Sequence, residues 1–214
     1  EDILRIYGYN NVEIPQQVRS TLSYAPRPDK NKLINIAADH LAATGYTEIM
    51  SNSLTKGSYY EGLTSYKAEN CVRILNPLSA DLNVLRQTLL FGGLESIQRN
   101  VSRKYTDISF FEFGNCYRFD ADKRVPEKIL SPYSESYHLA LWMTGNNIAA
   151  SWMDAGRAIT IYDLKSHVEH IFDRLGFAAQ ARKISTFSND IYSAAIQFET
   201  RGGKKVAEVA IITA

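Results

Sequence analysis

The clearest periodicity in the chain lies over residues 160–175. Ile161, Leu164, Val168, Ile171, Phe172 and Leu175 recur three and four positions apart, the spacing of one helical face. They predict a helix with a single apolar stripe, ended at Gly176. His167 borders that stripe and His170 points away from it. A second helix is expected behind Asp29, which follows Pro28 and stands where an N-cap belongs. Leu33, Ile34, Ala37 and Leu41 repeat behind it, and Gly45 closes it. A third helix, over 91–103, carries Leu94, Ile97 and Val101 on one side. Ile3, Leu4, Ile6 and Tyr7 read as the last turns of a helix stopped by Gly8. A short helix is expected near 57–63.

Between these helices the pattern changes to that of strands. Residues 109–119 are rich in aromatics and suit a strand, as do residues 137–144. Shorter strands are expected over 48–53, 72–75 and 84–86. Three more fall at 182–186, 192–199 and 205–213, with Gly202-Gly203 as a hairpin turn. Residues 146–157 read as a long loop. From Asn10 to Pro28 periodicity is lost and Pro15, Pro26 and Pro28 act as breakers, so this stretch reads as a linker. The expected organisation is the end of one domain over 1–12, a linker over 13–28 and a single domain over 29–214. Its expected class is α+β, a mostly antiparallel sheet flanked by helices.

Composition narrows the functions open to such a domain. In 214 residues, 24 Lys+Arg stand against 23 Asp+Glu, a net charge of +1. A domain that grips nucleic acid through bulk positive charge is excluded, because neutralising phosphates needs an excess of bases. Apolar runs such as 139–143 and 209–212 are far too short to cross a bilayer. The opening Glu1-Asp2, ahead of an amphipathic run and without an apolar leader, reads as a cut through a longer chain. Cys71 and Cys116 have no CxxC neighbour, which favours two small buried hydrophobes in a reducing cytoplasm over a disulfide or zinc framework.

No phosphate-binding glycine loop, GxSxG, HExxH or HxxEH occurs. His167 and His170 lack a third ligand in sequence and read as a helix flank. His40 and His138 have no nucleophile motif beside them. The most distinctive chemistry lies over 76–120. There Asn76-Pro77 makes a turn, Val84-Leu85-Arg86 a short strand, and a helix returns the chain to the long strand containing Phe110-Phe111-Glu112-Phe113-Gly114. Arg86, Glu112 and Arg118 are placed to hold an anion or a partner.

The sequence of this stretch, NPLSADLNVLRQTLL followed by FFEFGNCYRFD, resembles the phenylalanyl-tRNA synthetase beta chain family. The family pattern is roughly NPLSxDLNVLRTSLLPGLLESI with a strand close to LFEIGRVF. The chain departs from it at Gln87, at Phe91 in place of Pro and at Gly93 in place of Leu. Two more segments agree: residues 6–12 match the family's RIYGYNNI, and Tyr162-Asp163-Leu164-Lys165 matches its YDLKG. The likeness runs in order from the first residues to about residue 175.

The resemblance implies a class II aminoacyl-tRNA synthetase-like fold and a subunit of the enzyme that joins phenylalanine to its tRNA with ATP. Glu112, Gly114, Tyr117, Arg118 and Asp120 loosely fit class II motif 2, which brings an arginine to the ATP α-phosphate. Motif 3, a Gly-rich strand leading to Glu-Arg, does not occur in the 214 residues, and its arginine is needed to offset developing phosphate charge. The family therefore implies a non-catalytic, catalytic-like module that packs against the alpha chain in an (αβ)₂ tetramer. Arg86, Phe91, Phe110, Phe111, Glu112, Tyr117 and Arg118 are the interface candidates. A competent adenylate-forming domain using Arg118 and Glu112 is the alternative. Glu1 and Asp2 match the last two acids of a family Mg²⁺ site and would form part of one. Mg²⁺, ATP and tRNA are expected of the whole enzyme, with no cofactor held by this stretch alone.

Overall fold

The computed structural model describes residues 1–13, 16–17, 20, 28–148, 151–153 and 155–212. Pro15, Pro26 and Thr213 lie outside these residues, as does much of the expected linker. In chain order the elements are α1 (Asp2–Tyr7), α2 (Lys30–Ala43), β1 (Thr47–Glu48), β2 (Leu54–Thr55), β3 (Val72–Arg73) and β4 (Val84–Leu85). They continue with α3 (Leu90–Val101), β5 (Ile108–Phe119), β6 (Tyr133–Thr144), β7 (Asn146–Ile148) and β8 (Arg157–Ala158). The last are α4 (Ile161–Arg174), β9 (Arg182–Phe187), β10 (Tyr192–Thr200) and β11 (Lys205–Ile212).

Punctuation residues set the helix ends as expected. The Asp29 carboxylate accepts from the Asn31 N–H at 2.9 Å and caps α2. Gly8 follows α1 at φ 91° and Gly45 follows α2 at φ 94°, left-handed values that glycine adopts without a Cβ penalty.

The centre of the molecule is the β5–β6 ribbon. The two strands pair antiparallel over their whole length, from Ile108 opposite Thr144 to Phe119 opposite Tyr133. β1 adds to β5 in parallel. On one face of the ribbon Phe111 packs with Ala37 and Leu41 of α2, Tyr46, and Ile171 of α4. On the other, Cys116 and Trp142 pack with Leu89, and Ile97 of α3 lies against them. The meander β9–β10–β11 is antiparallel, and α4 ties it to the ribbon: Phe172 meets Phe198 of β10 edge-on at 5.5 Å while Ile171 faces Phe111. Both cysteines are free and buried, and burial pushes the Cys116 thiol up to about 11.

Some sequence expectations need correction. The strand expected over 48–53 ends at Glu48, with one further ladder bond from Ile49 N–H to the Phe111 carbonyl. Beyond it, Ser51 turns inward to bind a side chain of β5. The helix near 57–63 is a single 3-10 turn over Gly57–Tyr60, and β3 stops before Leu75, which is fully in solvent. In α4 only Ile171 of the apolar stripe is buried, and Leu175 lies exposed at the C-cap.

Residues 146–157, expected as a loop, include β7 and the start of β8, which pair antiparallel. Polar side chains hold them, which hides them from a search for apolar alternation. Asp107 accepts from the Asn146 N–H at 2.9 Å. Asp163, in the first turn of α4, is gripped by both Arg157 guanidinium nitrogens, at 2.9 and 2.6 Å, and by Asn147 at 2.8 Å. The same carboxylate accepts from the Thr160 N–H and hydroxyl at 2.8 and 2.7 Å.

Arg157, then Thr160, hold the Asp163 carboxyl well below the usual carboxylate range. Its clasp is therefore complete above about pH 3.9, the unfolded value, and is lost as pH falls below it. Asp163→Asn should cost about 1 kcal/mol at neutral pH, as loss of a helix cap does. Thermal unfolding of both proteins checks this: the gap should be equal at pH 7 and 5 and close toward pH 3.

Candidate functional site

Two of the three charged residues singled out in the sequence, Arg86 and Glu112, converge in the interior beside β5. Arg86 leaves β4 with its backbone fixed on both sides. Its N–H donates to the Ser53 carbonyl at 2.9 Å, and its carbonyl accepts from the Tyr117 N–H at 2.8 Å. Its side chain runs across β5 and donates to Glu112 Oε1 at 2.7 Å and to the Asn115 carbonyl at 2.9 Å. Glu112 is closed from the other side by Ser51, whose hydroxyl donates at 2.8 Å and whose N–H donates at 3.2 Å. Side-chain exposure is 7% for Arg86 and 1% for Glu112. The acid and base thus neutralise each other in a buried, hydrogen-bonded box, which leaves no unbalanced charge in the pair for an anion.

Gly114 makes this box possible. A Cβ at that position would stand 2.2 Å from Arg86 Nη2, so the guanidinium occupies space that any side chain there would fill. A small cleft of about 180 Å³ opens beside the pair, with Ser51, Asn52, Lys56, Asp81, Arg86 and Glu95 in its wall. That is below the roughly 300–1,000 Å³ of small-molecule sites.

The remaining sequence-picked residues separate by exposure. Phe111 is buried under α2 and α4. Phe110 packs with Leu89 and Trp142. Phe91 stacks on Tyr59 at 4.9 Å and meets Tyr60 edge-on at 5.4 Å. Tyr117 is half-buried and Arg118 is exposed at the end of β5. Asp120 caps the 3-10 turn that follows and pairs with Lys123 at 3.1 Å. Glu1 and Asp2 both face Arg5, at 2.6 and 3.9 Å. Among the described residues no group of three or more His, Cys, Asp or Glu is arranged to hold a metal ion.

Residues 14–205 match the family described as the phenylalanyl tRNA synthetase beta chain CLM domain. The chain belongs to this family. It is 55% identical, over all 214 residues, to the phenylalanine–tRNA ligase beta subunit of Bacteroides fragilis, covering 26% of that protein. Against the corresponding subunit of Porphyromonas gingivalis it is 42% identical over 205 residues, 95% of this chain and 25% of the relative. The chain spans about a quarter of the length of these relatives. Its fold resembles that of a pyrrolysyl tRNA synthetase from Desulfitobacterium hafniense, with a TM-score of 0.55 at 18% identity, over 85% of this chain and 56% of the other. The class II synthetase-like fold inferred from sequence is the one found.

The three departures from the beta-chain pattern each have a local packing partner. Gln87 donates to the Lys67 carbonyl at 2.9 Å and to Cys71 Sγ at 3.0 Å. Phe91 fills the aromatic stack with Tyr59 and Tyr60. Gly93 makes room for Trp142, whose Cε2 lies 2.0 Å from where a Cβ would stand. Two contributors were not picked from the sequence. Ser51 has no local signal, since it meets Glu112 from 61 positions away. Asp163 had one, the Thr-x-x-Asp spacing of a capping box ahead of an apolar run.

Truncating one member of a buried pair strands the other charge, at a cost of about 3–5 kcal/mol. Arg86→Met and Glu112→Leu should each destabilise by that order in chemical denaturation. The double variant should be less destabilised than the sum. Restoring leucine at position 93 should cost about 1–3 kcal/mol by overpacking, and the added substitution Trp142→Ala should remove the clash, so that the pair is strongly non-additive in the same measurement.

Proposed function

We propose that this chain is the scaffold module of a phenylalanine–tRNA ligase beta subunit. In the whole enzyme, an (αβ)₂ tetramer of the cytoplasm, the alpha subunit activates phenylalanine with ATP and Mg²⁺ and passes it to tRNA. This module holds the assembly together and performs no adenylation itself. The observation that carries the reading is the closed Arg86–Glu112 pair. Glu112 of the motif-2-like strand is bound by Arg86 from the end of β4 and by Ser51, and Arg118 is exposed at the rim near Asp120, with no motif 3 arginine in the sequence. Residues 1–12 end the preceding domain in this reading. Glu1 and Asp2 would serve Mg²⁺ only together with acids from that domain, since Arg5 now takes their charge. No helix among the described residues is long and apolar enough to cross a membrane.

The alpha-subunit surface is drawn from the outward residues of the stretch 76–120. Leu78 is wholly exposed and Tyr105 two-thirds exposed, and Arg118 joins them as a polar contributor. Phe91, Phe110 and Tyr117, half-buried, border the surface. Phe111, Arg86 and Glu112 are buried and contribute almost no exposed area to it. An interface of this kind needs roughly 800 Å² from each partner, with aromatic and Arg side chains at its centre.

The chain should co-purify with its alpha subunit, and Leu78→Glu or Arg118→Glu should weaken that association while leaving the melting temperature unchanged. The chain alone should give no ATP–pyrophosphate exchange with phenylalanine. Exchange that Arg118→Ala abolishes would replace the scaffold reading with a catalytic one.

A further inference from the structure

Among the described residues, the buried side-chain polar atoms without a hydrogen-bond partner are His40 Nε2, Tyr46 Oη and His167 Nδ1. All three lie along one seam, where α2 and the turn behind it pack against α4. The Tyr46 ring meets His167 edge-on at 5.0 Å, and His40 meets His170 edge-on at 6.0 Å. Tyr46 is 5% exposed and sits in the cluster formed by Ala37, Leu41, Phe111 and Ile171. The β5–β6 face under the seam packs Phe113, Leu139, Leu141 and Met143 against that cluster. Buried polar atoms are nearly always paired, so orphans gathered at one place require a reason.

We infer that the α2–α4 seam is a proton-operated joint, closed while His40 and His167 are neutral and loosened when they charge. The charged and titratable groups around it favour the neutral, closed form. His170 and Arg174 of α4 set positive charge against His40, and His170 and His40 do the same to His167. Asp163 is the acid that acts on His167, and its carboxylate is already bound by Arg157. Asp173, at the same end of α4, is taken by Arg182 of β9 at 3.0 Å. A second proton placed on the seam therefore meets like charge and an apolar floor.

The direction of the response follows from burial. Desolvation, aided by the neighbouring positive charges, lowers both histidines below their ordinary value. The opened seam then binds more protons than the closed one below about pH 6.5. Closure is complete above that pH and weakens beneath it, each bound proton raising the opening constant by up to roughly tenfold per pH unit. Tyr46 is also held in its neutral form, by burial and then by Asp163, so it donates no charge of its own to offset the imidazolium ions.

Two measurements on the chain test the joint. Proton NMR of the imidazole Cε1–H signals should give His40 and His167 titrations below pH 6.5. Amide hydrogen exchange, corrected for intrinsic rate, should rise by about tenfold or more in residues 30–43 between pH 7.5 and 5.5, with little change in the β9–β11 meander. His40→Asn and His167→Asn should flatten that pH dependence, whereas His138→Asn, a histidine outside the seam, should leave it intact. Titration of both imidazoles at or above pH 6.5 would overturn the inference, as would parallel exchange changes in α2 and the meander. The wild-type titration decides the matter even if a seam variant fails to fold.

Discussion

The buried pair of Arg86 and Glu112 is the interaction on which the arrangement depends. Stripping two charges of water costs several kcal/mol per ion, and only close geometry with further hydrogen bonds offsets it. Here the carboxylate takes donors from Arg86 and from both the hydroxyl and the N–H of Ser51, while the guanidinium also reaches the Asn115 carbonyl. Three stretches remote in sequence are joined at one point. Because any of them left without its partner would strand a charge or a donor in the interior, the pair fixes the register of the β4 segment against β5. Specificity of arrangement, more than net stability, is what such a box contributes.

Around the box the packing is tuned by size. The bareness of Gly114 lets Arg86 lie on the strand, and that of Gly93 lets the Trp142 indole lie on α3. Phe91 compensates on the other side of the helix by filling the aromatic stack against the β2–β4–β3 sheet. These are local solutions to one problem, a helix and a small sheet resting on one face of a long ribbon.

The parts legible in the sequence were those governed by near neighbours. Asp29, Gly8, Gly45 and Gly176 marked helix ends because caps and left-handed turns act within a few residues. The aromatic run of β5 announced a strand. The motif-like order of residues 76–120 announced a synthetase-like module. The parts that escaped depend on distance or on polarity. Nothing near Ser51 says that it will leave a strand to meet Glu112. β7 and β8 have no buried face, so apolar alternation could not reveal strands that Asp107 and Asp163 hold. Arg86 and Glu112 looked like a surface offering because charge reads as exposed, and only their mutual neutralisation lets them go inside.

One property of β6 bears on handling the chain by itself. Among the described residues it is hydrogen-bonded along one edge only, to β5, and residues 133–138 are exposed. An open row of N–H and C=O groups on a long strand is a template for another strand. Glu135 and His138 interrupt the row with polarity, but the backbone groups remain available. An edge of this kind is where a second strand would add, so concentration is the variable to watch when the chain is handled by itself. A soluble, charged strand supplied in trans would be the natural way to suppress that addition.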